Sequence, residues 1–149
     1  MIRARIGGHP IHLMLVHFPA ALYPMAAICS SWFFYTSDPL PGYVSVFCII
    51  AGAAMAWIAA LFGLWEAAFV SLKQTKVIST IVWHASINGS VTILFTIWAV
   101  QTWKTYPELI KDSGLTLSLK WTAVALLLFG NFFGGKLVLK YGVGSDDNK

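Results

Sequence analysis

The sequence predicts an all-α protein, an integral membrane bundle of four antiparallel helices. Three observations carry this. Of 149 residues, 58% are hydrophobic and 11% charged, where a water-soluble domain carries about a quarter charged residues. Apolar runs at 11–35, 44–70, 77–103 and 119–139 each reach the roughly 20 residues that cross a hydrocarbon core. The connections 36–43, 71–76 and 104–118 are short, which makes consecutive helices antiparallel neighbours. In lipid such runs are helical, because no water is present to satisfy the backbone. The expected organisation is an N-terminal segment 1–10, one four-span domain over 11–140, and a tail 141–149 that frays.

The first run opens with "GGHPIHLMLVHFPAALYP" at 7–24, which puts His9, His12 and His17 within nine residues. It is too long for the 7–15 apolar residues of a signal-peptide core, and Pro19 and Pro24 suit such a core poorly, so it reads as a retained span. Pro10 suits a first helical position, leaving His9 at the cap among lipid headgroups. Pro19 removes a backbone hydrogen bond and kinks the turn that contains His17. That kink is expected to turn His12 and His17 toward each other.

The second run holds Glu66, the one carboxylate inside any run, and a row of small residues, Gly52, Ala56 and Ala60. The third holds His84 and Asn88, four apart and therefore on one face. The fourth holds Asn131 and the Gly130–x₃–Gly134 step, read with the Gly52 row as surfaces for close helix approach. Cys29 and Cys48 lie in apolar runs without metal-type spacing and read as buried small hydrophobes.

Most of the charge behind the net +4 lies outside the apolar runs and reads as a topology signal, not a nucleic-acid surface. Arg3, Arg5, Lys73, Lys76, Lys136, Lys140 and Lys149 fall on one side; Lys104, Lys111 and Lys120 fall on the other. The asymmetry places both termini in the cytoplasm of a bacterial inner membrane. Trp65, Trp83, Trp103 and Trp121 lie near run ends, as interfacial anchors do.

Depth brings the polar residues together. In antiparallel spans, His17, Glu66, His84 with Asn88, and Asn131 all fall one to two turns from the cytoplasmic ends, at one level within about a turn. An ionisable group in a span costs a few kcal/mol and usually faces the bundle interior with a partner. Glu66 is therefore expected beside His17 and His84, with Asn88 orienting a ligand from behind.

The stretch "GHPIHLMLVHFPAAL" resembles the opening H-P-x-H-P-x-x-V-H-F-P of a family of small four-helix bacterial membrane proteins known as domain of unknown function 2231. "GLWEAA", "HASIN" and "GGKLVLKYGVG" follow in the family's order. Leu13 stands where the family has its second proline. The resemblance implies a redox setting, since similar domains occur joined to cytochrome c-like or Rieske-like partners.

Two chemistries suit these residues, beside a purely structural polar layer. One is a membrane electron-transfer subunit holding a single b-type haem between His17 and His84, with Phe18, Trp65 and Trp83 lining the macrocycle and His12 and Asn88 close by. The other is a non-haem Fe, Cu or Zn site built from His12, His17, His84 and Glu66, for metal binding or transport. No hydrolase triad, P-loop or dinucleotide fingerprint is present, and whether the chain is an enzyme stays open. The expected surroundings are the lipid bilayer and other subunits of a membrane redox complex.

Overall fold

The structure, a computed structural model, describes residues 4–144. Arg3 and Lys149, both counted in the charge asymmetry, and the last five residues of the tail lie outside the described residues. The elements are β1 (Arg5–Ile6), β2 (His9–Pro10), α1 (Ile11–Leu15), α2 (His17–Thr36), α3 (Pro39–Ala67), α4 (Thr75–Thr105) and α5 (Gly114–Leu139). Four stretches are long and apolar enough to cross a membrane: Ile11–Thr36, which joins α1 and α2, then α3, α4 and α5.

Two spans begin earlier than the hydropathy pattern predicts, because polar caps start them. The Asp38 side chain accepts from the Leu40 N–H at 3.0 Å, and Pro39 occupies the first helical position, where its missing N–H costs nothing. α3 thus starts at Pro39 instead of 44. Ser113 likewise accepts from the Thr116 N–H at 3.1 Å, so α5 starts at Gly114 instead of 119. Cap residues lower the hydropathy of a window while they raise the stability of a helix end.

The first span is broken at Val16, between α1 and α2. Pro19 has no N–H to offer the Leu15 carbonyl, and its ring crowds that turn. The ladder resumes when the Ala20 N–H reaches the Val16 carbonyl at 3.2 Å. The break does not bring His12 and His17 together. His12 is half-buried against α3, whereas His17 is exposed at the start of α2.

Packing runs α2 on α3, α3 on α4, α4 on α5, and α5 back on α2. The contacts are antiparallel: α3 meets Ser30 at Ser45 and His12 at Ala59, and α5 meets His84 at Gly130 and Trp98 at Lys120. The core is aromatic at its centre and small around it. Tyr23 stacks on Phe95 with centroids 3.7 Å apart, and Phe95 meets Trp98 edge-on at 5.1 Å. Gly52 seats the Tyr23 ring: a Cβ there would lie 2.8 Å from it. Outside, Phe47, Leu61 and Phe132 are each about two-thirds exposed, a belt that only lipid covers at low cost. Trp65, Trp83, Trp103 and Trp121 are also exposed.

A feature the hydropathy pattern missed closes the end of the bundle that carries both termini. β1 and β2 pair as a hairpin through Gly7 (φ 57°) and Gly8 (φ 82°), a Gly–Gly turn in which both residues take positive φ. Residues 141–144 fold back onto this hairpin instead of fraying. Gly142 takes φ 66°, the Val143 N–H reaches the Leu137 carbonyl at 2.9 Å, and an Arg5 guanidinium N–H donates to the Gly144 carbonyl at 3.4 Å.

Candidate functional site

The polar layer forms just beneath this hairpin, with a different membership from the expected one. α1 presents His12 to α3. Its Nδ1 lies 2.7 Å from the Ala59 carbonyl, and the ring packs on Gly63, where a Cβ would lie 2.8 Å from Cε1. α4 presents His84 to α5. Its Nδ1 lies 3.0 Å from the Gly130 carbonyl, and the ring packs on Gly134, again 2.8 Å from a Cβ placed there. The two imidazoles meet across the layer in a T-shaped arrangement, with centroids 6.3 Å apart and planes at 89°.

A main-chain carbonyl only accepts, so the Nδ1 of His12 donates to Ala59, which leaves the lone pair of its uncharged form on Nε2. His84 Nδ1 stands between the Gly130 carbonyl and the Asn88 amide nitrogen, and donation to that carbonyl leaves its Nε2 lone pair free in the same way. Anchoring one ring nitrogen to a main-chain carbonyl fixes the orientation of the other.

Asn88, one turn after His84, donates through Nδ2 to the His84 main-chain carbonyl at 3.1 Å; the same Nδ2 lies 3.1 Å from His84 Nδ1. Gly130 leaves room for its amide. Asn88 Oδ1 and Glu66 Oε1 are both buried without a hydrogen-bond partner among the described residues. Glu66 is 7% exposed and lies within electrostatic reach of His12, as does His84. The inward position of Glu66 follows the sequence expectation.

His17 does not. It is exposed, with Nδ1 3.4 Å from the Met14 carbonyl one turn back, and His12 stands opposite His84 in its place. The cause is angular: five residues along a helix is about 140° of rotation, so with α1 seated on α3 through His12, His17 is left outside, and the break at Val16 sets which of the two is seated. The metal set of His12, His17, His84 and Glu66 is likewise not assembled. Among the described residues no three His, Cys, Asp or Glu side chains converge closely enough to hold an ion. Phe18, Trp65 and Trp83 are about half exposed, and Trp83 stacks on Phe133 of α5 with centroids 6.4 Å apart. His9 is exposed in β2, and Asn131 is half-buried beside the glycines that form the seats.

Sequence reasoning missed what the glycines do. Gly130 and Gly134 do not bring two bare helices together; they receive Asn88 and His84. The signal was present as matched spacing. His84–x₃–Asn88 read upward meets Gly134–x₃–Gly130 read downward, as antiparallel neighbours require. Gly63 carried no comparable signal, because its partner lies on a five-residue helix whose direction depends on a break.

No curated protein and no solved structure is significantly similar to the chain. A family described as a predicted membrane protein (DUF2231) matches residues 8–147. That match covers the second strand of the hairpin, all four spans and every residue of the polar layer, so the chain belongs to this family of membrane proteins.

Proposed function

We propose that the chain is an electron-transfer subunit of a membrane redox complex, in which His12 and His84 would hold one b-type haem. The observation that carries this is the imidazole pair: two rings with Nδ1 tied to main-chain carbonyls and a lone pair left on each Nε2. The ring centroids are 6.3 Å apart, and two imidazoles brought together from different helices are the donor chemistry that would hold a haem iron.

Haem supplies one-electron chemistry at a potential set by its axial ligands and surroundings. The chain contributes the rest. Ala59 and Gly130 hold the two rings in position through the Nδ1 hydrogen bonds and would raise the basicity of the opposite ring nitrogens toward an iron. Gly63 and Gly134 allow the rings to sit flush against α3 and α5. Buried Glu66 adds a carboxyl near His12, and the hairpin with residues 141–144 covers the layer from the aqueous side.

The surrounding charge supports a bacterial inner-membrane protein with cytoplasmic termini. Arg5, Lys73, Lys76, Lys136 and Lys140 lie at the end of the bundle that carries the polar layer, as the positive-inside preference requires.

The test is the absorption spectrum of the purified, reduced protein. A Soret and an α band are expected in the wild type and in His17→Ala, and are lost in His12→Ala and His84→Ala. A second reading, a polar layer that only fixes helix packing, draws on the close glycine seats. It is favoured if the wild type carries no haem while His12→Ala and His84→Ala still lower the thermal midpoint. Stoichiometric Fe, Cu or Zn without porphyrin also overturns the haem reading.

A further inference from the structure

The opposite end of the bundle holds a second polar site. A cavity of about 290 Å³ opens there between the ends of α2, α3, α4 and α5 and the connection that carries Asp112. Lys120, counted from sequence among the charges on this side of the membrane, is 3% exposed. Its ammonium donates to Asp112 Oδ2 at 2.6 Å and to Ser30 Oγ at 2.9 Å, and Ser30 in turn bonds Ser45 at 2.7 Å. An ammonium has three protons, and two have partners, so one donor of a buried lysine is left to serve the cavity. Burying such a group in a span is costly even when paired, and a salt bridge is a weak way to stabilise a fold.

The lining describes the ligand. Lys120 and Lys111 are balanced by Asp112 and Glu108, all four on the cavity wall, so the site selects for no net charge. Trp98 and Phe33 supply flat apolar surface, and the Lys120 ammonium stands 5.8 Å over the Trp98 ring. The remaining Lys120 proton meets a group that accepts hydrogen bonds; the Thr102 and Thr105 hydroxyls already donate to main-chain carbonyls of α4. The site lies at a bundle end, where lipid meets water. A neutral, flat, carbonyl-bearing ring with an apolar tail has these properties.

We infer that this cavity binds the headgroup of a membrane quinone, with Lys120 donating to a quinone carbonyl and the ring resting on Trp98. The choice of a quinone among such ligands rests on the redox reading above. The fold connects the two sites. His84, Asn88, Val91, Phe95, Trp98, Thr102 and Thr105 recur at alternating spacings of four and three, one inward stripe of α4. His84 and Trp98 are fourteen residues apart, about 20 Å along the axis. Phe95, stacked on Tyr23 and edge-on to Trp98, lies between.

The experiment uses the full-length protein in detergent, with a benzoquinone bearing one isoprenoid unit as ligand and its azido derivative as photoprobe. Calorimetric titration is expected to give saturable binding to the wild type. Binding should weaken by about ten-fold or more when the buried charged donor is removed, in Lys120→Met and in the charge-balanced Lys120→Met/Asp112→Asn. The double variant keeps the site neutral, so a folded sample exists if the single variant misfolds. On the wild type, the photoprobe is expected to label peptides that contain Trp98 or Lys120. Absence of saturable binding, equal affinity in the folded double variant, or labelling confined to lipid-facing surfaces overturns the inference. A haem spectrum on the same sample separates the two claims, because loss of haem with quinone binding intact rejects only the His12–His84 assignment.

Discussion

At the residue scale, the polar layer depends on side chains that are absent as much as on those present. His84 sits flush on α5 because Gly134 has no Cβ, and a methyl group there would lie 2.8 Å from Cε1. The ring cannot retreat without giving up the Gly130 carbonyl. Gly134→Ala should therefore destabilise by about 1–3 kcal/mol, the usual cost of overpacking a close contact. Gly89→Ala is the control. Nothing lies within 4 Å of a Cβ at Gly89, and alanine is the better helix former by about 1 kcal/mol, so the variant should match or exceed wild type. Thermal unfolding of both in one detergent checks the pair. An unchanged midpoint for Gly134→Ala would show that His84 is not held against α5.

At the element scale, the break at Val16 decides which histidine enters the bundle. In an ordinary helix, replacing an interior proline by alanine restores a hydrogen bond and relieves a clash worth about 3 kcal/mol. Pro19→Ala should act in the opposite direction. The new N–H would bond the Leu15 carbonyl, merge α1 with α2, and swing His12 away from Ala59 and Gly63. A lower thermal midpoint, despite a gain in helical circular dichroism, is the expected result. A higher midpoint with the helical gain would mean that the break is tolerated, not used. The cap residues Asp38 and Ser113 belong to this scale too. They set where α3 and α5 begin, and Asp38–Pro39 was readable from sequence as a helix start that a hydropathy window passes over.

At the scale of the whole molecule, four spans return the chain to the side on which it starts. Lys73 and Lys136 therefore share one face of the membrane, and Lys104 lies on the other. Single Lys→Cys variants should show this with a membrane-impermeant maleimide applied to intact, inverted and permeabilised membranes. The native Cys29 and Cys48 are buried and free, so they leave the background low. Positions 73 and 136 are expected to react only when the cytoplasmic face is accessible, and position 104 from outside. The reverse pattern would invert the assigned orientation and move the polar layer to the other leaflet.

What the sequence by itself determined is what length, composition and depth can carry: four apolar spans, short connections, and a level at which Glu66, His84 and Asn88 meet. Lipid makes these features legible, because it penalises every unpaired backbone group and every stray charge. Depth along a span is simply a count of residues. Which side of a helix a residue occupies near a proline is not, and here the tertiary structure decided. It chose His12 over His17, because a break at Val16 leaves α1 free to set its own rotation against α3. It gave Gly63, Gly130 and Gly134 their roles, since a glycine's function is the side chain that fills its space. It also drew Lys120 inward to Asp112 and Ser30, a burial that composition cannot register because the partner lies in a connection and the acceptor on another span.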